Sequence, residues 1–173
     1  VRADAVFFAN ADALRICPGL IDVLIPVEWV VEKRTIEKTK VTLRMAQRAL
    51  AEERPVVIFP AGAIARRVDG VIQELAWERS AAALARKHAA PIVPVHVSGP
   101  FPHLYHLFDR VSPELRNITL FRELLNKAGG RYDLIVGPAI PREALSGEAD
   151  ALTRRLRTYV ADRLPQDPDC VFS

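Results

Sequence analysis

Along the chain, continuous apolar runs alternate with stretches in which apolar positions return every three or four residues. Ala5 to Ala9 (Ala-Val-Phe-Phe-Ala) is a short run of the kind that forms a buried strand, and Val23 to Val31 is a second, interrupted by Pro26. From Thr35 to Glu53 the apolar residues Ile36, Leu43, Ala46 and Leu50 fall at helical spacing, while Lys38, Lys40, Arg44 and Arg48 face elsewhere; this predicts an amphipathic helix. Pro55 ends it. Val56-Val57-Ile58-Phe59 then reads as a strand buried on both faces in a parallel sheet, and Gly62 and Gly70 mark a loop. Ser80 to Ala90, rich in Ala, Leu, Arg and Lys, predicts a helix that stops before Pro91, with Ile92 to Val97 as the next buried strand. Helix, strand, loop, helix, strand is the rhythm of an α/β sheet.

Beyond Gly99-Pro100 the pattern loosens. His103 to Lys127 mixes aromatic and basic residues, Gly129-Gly130 predicts a turn, and Tyr132 to Val136 is a further strand candidate. Leu145, Ala149, Leu152, Leu156 and Val160 keep one apolar face through a terminal helix whose other face is charged. The Pro- and Asp-rich tail from Pro165 is expected to be loose. The expectation is therefore one α/β domain over residues 1–164, with a mainly parallel sheet flanked by helices, and a tail over 165–173.

Composition narrows this little. With 173 residues, 50% of them hydrophobic, the chain can bury one sizeable core. A formal charge of +3 and a pI near 9.1 suit an anionic partner such as a phosphate or a phospholipid surface without identifying one, and a bland basic surface is the ordinary alternative. Cys17 and Cys170 have neither metal-ligand spacing nor the density of a disulfide framework, which fits a reducing compartment. The longest apolar stretch, Pro55 to Ala65, is too short for a bilayer and runs into Arg66 and Arg67, so any membrane contact made by these residues is expected to be peripheral. No charged leader followed by an apolar run opens the sequence, and it begins without Met.

Candidate chemistry is sparse. Of the histidines, His88 lies near the end of a basic helix, where a cation complements the helix dipole, and His96 lies in an apolar strand, where a hydrogen-bonded core role is the usual one. His103, His106 and Asp109 could share a helical face around a metal, but a third well-spaced ligand is absent and the apolar residues among them indicate packing. Gly62 is isolated, so no glycine-rich nucleotide loop is present. What remains is Val56 to Arg67, where a buried strand ends in a Pro/Gly turn and delivers Arg66 and Arg67 to its carboxyl end, the edge at which α/β sheets place ligands. Guanidinium groups there match phosphate oxygens, and Gly62 allows close backbone approach. Two solvated arginines after a tight turn is the plain alternative.

Phe59-Pro60-Ala61-Gly62 resembles the third motif, Phe-Pro-Glu-Gly-Thr-Arg, of the lysophosphatidic acid acyltransferase-like family of glycerolipid acyltransferases. Three further features fall in the family's order: Phe7-Phe8-Ala9-Asn10 to Pro18-Gly19, then Val31-Glu32-Lys33-Arg34 as the acidic-then-basic second motif, and Ile92-Val93-Pro94-Val95 as the fourth. The resemblance covers roughly Arg2 to Pro141. With Ser112-Pro113-Glu114-Leu115 and the segment ending Gly137-Pro138 it is similar to the bacterial subgroup of hemolysin-like proteins and ornithine-lipid acyltransferases.

The resemblance implies a glycerolphosphate-acyltransferase-like fold and transfer of an acyl chain from acyl-CoA or acyl carrier protein to a lysolipid hydroxyl. It implies no cofactor beyond that donor, no metal and no nucleic acid, and peripheral contact with the cytoplasmic face of a membrane. A His acts as general base in the family, oriented by an Asp after four intervening residues. The residues standing there after His88, His96, His103 and His106 are Val93, Phe101, Phe108 and Val111, so the chain supplies no catalytic residue of this kind. In the family that pair precedes the stretch matching Phe7 to Gly19; its expected place is upstream of Val1, and the domain is expected to be incomplete at its N-terminus. Ala61 stands for the motif's Glu, and Ala63-Ile64 for its Thr-Arg. The expected headgroup contacts are Gly62, Arg66 and Arg67, with Lys33 and Arg34 as second contributors. A lipid-binding or regulatory relative without the reaction is a competing reading. Nucleic-acid association through Lys33, Arg34, Lys38, Lys40, Arg44 and Arg48 is a lesser one, without a stacking platform or recognition helix.

Overall fold

The first apolar run becomes the middle strand of a parallel sheet. In a computed structural model, which describes residues 2–28, 32, 34–69, 71–99, 108, 112, 119, 122 and 125–173, Val6–Asn10 (β1) lies between Leu24–Val27 (β2) and Val56–Val57 (β3). Phe7 pairs with Leu24 on one side and with Val57 on the other. Asp12–Ile16 (α1) and a 3-10 turn, Pro18–Asp22, carry the chain from β1 to β2, and Ile36–Ala51 (α2) lies between β2 and β3. Parallel neighbours require such crossovers. Pro26, which has no N–H for a ladder, is accommodated because β2 is an edge among the described strands.

These elements, with Ser80–Lys87 (α3), form one unit, Val1–Ala63 plus Trp77–Ala90. Its core is Val6, Ile25, Ala46, Ala49 and Leu84, with Phe8, Met45, Leu50, Val56 and Ile58 packed against it. Each large side chain so buried contributes roughly 1.5–3 kcal/mol. Thr35 accepts from the Lys38 N–H at 3.2 Å and caps α2. The apolar stripe of α2 matches the expected spacing at Ala46 and Leu50, which meet the core, but not at its other two positions. Ile36 is 76% and Leu43 45% exposed, while Ala46 and Ala49 are buried. Small residues let the helix backbone approach the sheet, so the fully buried contact is made by the alanines, with Met45 and Leu50 beside them.

Helices α2 and α3 end in the same way. The Arg54 N–H reaches Ala49 O and the Glu53 N–H reaches Leu50 O; the Ala90 and Ala89 N–H groups reach Ala85 O and Arg86 O. Glu53 (φ +54°) and Ala89 (φ +52°) hold the left-handed position that this closure demands, and Pro55 and Pro91 follow.

The second unit is Ile64–Ala76 plus Pro91–Ser173. Its ladders among the described residues are antiparallel, so the expected parallel arrangement is described in the first unit alone. Arg66–Val68 (β4) pairs with Val71–Gln73 (β5), and Val95–Ser98 (β6) with Asp133–Val136 (β7). Nor is the Ile92–Val97 stretch buried as expected: Val93, Val95 and Val97 are exposed, as are Leu134 and Val136 on β7. The run Val56–Phe59 is likewise shorter and wetter than predicted, with the strand ending at Val57 and Phe59 63% exposed. Gly129, at φ +77°, makes the predicted turn. Helix Ala149–Thr158 (α4) is capped by Glu148, whose carboxylate accepts from the Asp150 and Ala151 N–H groups, and continues as a π-helical turn over Tyr159–Arg163.

Leu152, Leu156 and Tyr159 are buried along this helix and its π-helical turn, as are Leu145 before it and Leu164 after it. The tail expected to be loose is packed: Phe172 is buried edge-on against Tyr159 at 5.4 Å, and the Tyr159 hydroxyl donates to Cys170 O at 2.7 Å. One aromatic residue and one buried donor outweigh the tail's Pro/Asp composition. No described helix is long and apolar enough to cross a membrane.

Candidate functional site

β3 runs out into Phe59-Pro60-Ala61-Gly62, a turn held by two backbone bonds. The Gly62 N–H donates to Phe59 O at 2.9 Å, closing it, and the Glu78 N–H donates to Pro60 O at 2.9 Å, tying it to the segment before α3. Gly62 sits at φ +64°, and nothing lies within 4 Å of where a Cβ would stand. The backbone conformation calls for glycine there, not crowding. Its flank is open, but its own N–H is already committed to the turn.

The expected basic contacts are distributed. Arg34 is exposed, and its Nε donates to Glu28 O at 2.9 Å. Lys33 lies outside the described residues. Arg66 and Arg67 are not loop residues: they are the first two positions of β4, opposite Gln73 and Ile72, in the second unit, whereas Gly62 and Arg34 belong to the first. Three of the four lysines and arginines of α2 are engaged locally. Lys38 Nζ sits 2.7 Å from Glu28, Lys40 Nζ 3.1 Å from Glu37 and Arg48 Nε 2.8 Å from Glu52, which draws in the positive charge that an anionic partner would meet.

The described histidines have structural surroundings. His96 Nδ1 lies 3.0 Å from Val160 O, and because a carbonyl only accepts, the ring proton sits on Nδ1. His88 ends α3, its N–H bonded to Leu84 O, and its Nε2 is buried without a partner. His103, His106 and Asp109 lie outside the described residues. Among the described residues no three His, Cys, Asp or Glu side chains are grouped to hold a metal.

One clamp was not visible in the pattern. The Arg54 guanidinium donates from Nε to Asp4 O at 2.8 Å and from Nη2 to Asp22 O at 3.0 Å, fastening the entries of β1 and β2. Its only sequence signal is its place just before Pro55.

Comparison with known proteins bears on the first unit most directly. A family model described as Acyltransferase matches residues 2–98, which take in the parallel sheet and the Phe59–Gly62 turn. A lyso-glycine lipid O-acyltransferase from Phocaeicola vulgatus is 24% identical over 136 residues, covering 75% of this chain and 47% of its own length. The chain thus spans about half the length of that relative. No solved structure gives a significant match.

Proposed function

The chain belongs to the acyltransferase family, and from that premise we propose that it forms part of a domain moving a fatty acyl chain onto the hydroxyl of a lysolipid. The observation that carries this reading is the family match across residues 2–98, which includes the turn at Gly62. The similarity to a protein named for acyl transfer to a lyso-glycine lipid supports a lysolipid acceptor.

In such a reaction the acceptor hydroxyl attacks the thioester carbonyl of acyl-CoA or acyl carrier protein. An ester bond forms, the thioester breaks, and the hydroxyl proton passes by way of a general base to the departing thiol. The residues of this chain are assigned to binding, not to that base. Neither His88 nor His96 is followed at the family's spacing by Asp, and His96 Nδ1 is engaged by a backbone carbonyl. From the order of the motifs, Gly62, Arg66 and Arg67 are proposed as contacts of the acceptor's anionic part, with Lys33 and Arg34 as second contributors. Peripheral contact with the cytoplasmic face of a membrane, where lysolipids are presented, belongs to this reading.

A second reading, a lipid-binding relative without turnover, is favoured by Ala61 and Ala63-Ile64 standing where the family has Glu and Thr-Arg. One experiment separates the two. The protein in which this chain occurs is incubated with a panel of lysolipids and with labelled acyl-CoA and acyl carrier protein. Labelled diacyl product is expected with at least one pairing; lysolipid binding without product would establish the second reading and overturn the first.

A further inference from the structure

The charged face of the terminal helix does more than meet water. Arg154, Arg155, Thr158, Tyr159, Arg163 and Ser173 line an open groove of about 370 Å³, all within the second unit. Two of the guanidinium groups lie over aromatic rings. Arg155 lies 4.9 Å from the centre of the Phe172 ring and Arg163 5.8 Å from that of Tyr159, while Arg163 Nη1 also donates to Ser173 Oγ at 3.1 Å. A guanidinium attracted to a ring face still has N–H groups able to donate elsewhere.

None of Arg154, Arg155 and Arg163 has a carboxylate partner among the described residues. Arg48, Arg131 and Arg142, by contrast, each sit 2.8 Å from a carboxylate oxygen. Three cations without a carboxylate partner among the described residues concentrate positive potential around one depression. Planar forks suit the spaced oxygens of a phosphate, and the Thr158 hydroxyl adds a donor on the same helix face.

The geometry points to a phosphate-binding site in this groove, formed by Arg154, Arg155 and Arg163 with Thr158, that takes a phosphate group carried by an anionic phospholipid or free in solution. It rests on residues separate from the acyl-transfer assignment, so either can fail alone. Two arms distinguish the sources. Calorimetric titration with inorganic phosphate at low salt reads the free anion, and sedimentation with phosphatidylglycerol vesicles, against pure phosphatidylcholine, reads the lipid. Arg154→Gln is expected to weaken whichever binding is seen by about tenfold, the loss of a charge-assisted contact. Arg142→Gln, an equal charge change beside Glu143, serves as the control and is expected to leave binding within about twofold. Arg155→Lys keeps the charge but loses the planar fork, and is expected to weaken binding severalfold, which preserves the test if Arg154→Gln unfolds. Binding in neither arm, unaltered binding by Arg154→Gln and Arg155→Lys, or an equal loss in Arg142→Gln overturns the proposal.

Discussion

Arg66 is the residue on which the headgroup assignment turns, and its backbone lies in a hairpin instead of a free loop. A clamp on the acceptor's anionic group supplies the same binding to ground and transition states, so its removal acts on the Michaelis constant. Arg66→Ala in the active protein is expected to raise the acceptor constant by about tenfold, the worth of a charge-assisted hydrogen bond, with a smaller effect on saturated turnover; an unchanged constant removes Arg66 from the assignment. Tyr159 poses a residue question of another kind. It is 1% exposed, and burial raises its hydroxyl above the ordinary value of 10.0. The folded state favours the protonated phenol, so the unfolded chain ionises first. This stabilisation is complete below about pH 10 and is lost as the pH climbs through the higher folded value. Tyr159→Phe leaves Cys170 O without its donor and is expected to cost about 1–2 kcal/mol at neutral pH. Its denaturant midpoint is then expected to fall less steeply than that of the unaltered chain above pH 10. Parallel pH profiles for the two proteins would count against the burial argument.

Helices were the legible elements, because a period near four positions survives in the sequence whatever the helix touches. Thr35 before α2, Pro55 after it and the spacing through Leu152 and Leu156 all located real features. The exposure of strands was not legible: an apolar run such as Ile92–Val97 announces extended backbone, but whether anything covers Val95 and Val97 depends on residues far along the chain. The buried face of α2 was legible in part: Ala46 and Leu50 belong to the expected stripe and meet the core, but hydrophobicity alone also put Ile36 and Leu43 there and says nothing of how closely two backbones approach at Ala49. At the candidate site, the Phe59–Gly62 turn could be read locally, but Arg54 could not, as its acceptor Asp4 O lies fifty residues earlier. Helix ends offer the test at this scale. Glu53 and Ala89 occupy left-handed positions that cost a residue with a Cβ about 1–2 kcal/mol, partly offset by the greater freedom glycine loses on folding. Glu53→Gly and Ala89→Gly are each expected to raise unfolding free energy by about 0.5–1 kcal/mol in denaturant titration. A loss of stability in both would show that the closures are not what terminates these helices.

Across the whole molecule the chain passes between its two units at Ala63, at Ala76 and at Ala90, so neither unit is one continuous stretch of sequence. Leu84, on α3, reaches a core whose other buried members all come before residue 50. A truncation after Ala63 therefore removes part of that core and is expected to abolish cooperative thermal unfolding followed by circular dichroism. Joining Ala63 to residues 77–90 through a short flexible link is expected to restore it, and failure to do so would deny the first unit an independent fold. The bond from the Glu78 N–H to Pro60 O gives the excursion between them a further meaning. The chain leaves the turn and returns to it with its ends already pinned, and enlarging a flexible loop costs only about 0.6 kcal/mol for each doubling. The hairpin tip after Val68 is thus an address where extra peptide, whether an evolutionary insertion or an engineered epitope, is accommodated while the Phe59–Gly62 turn keeps its shape.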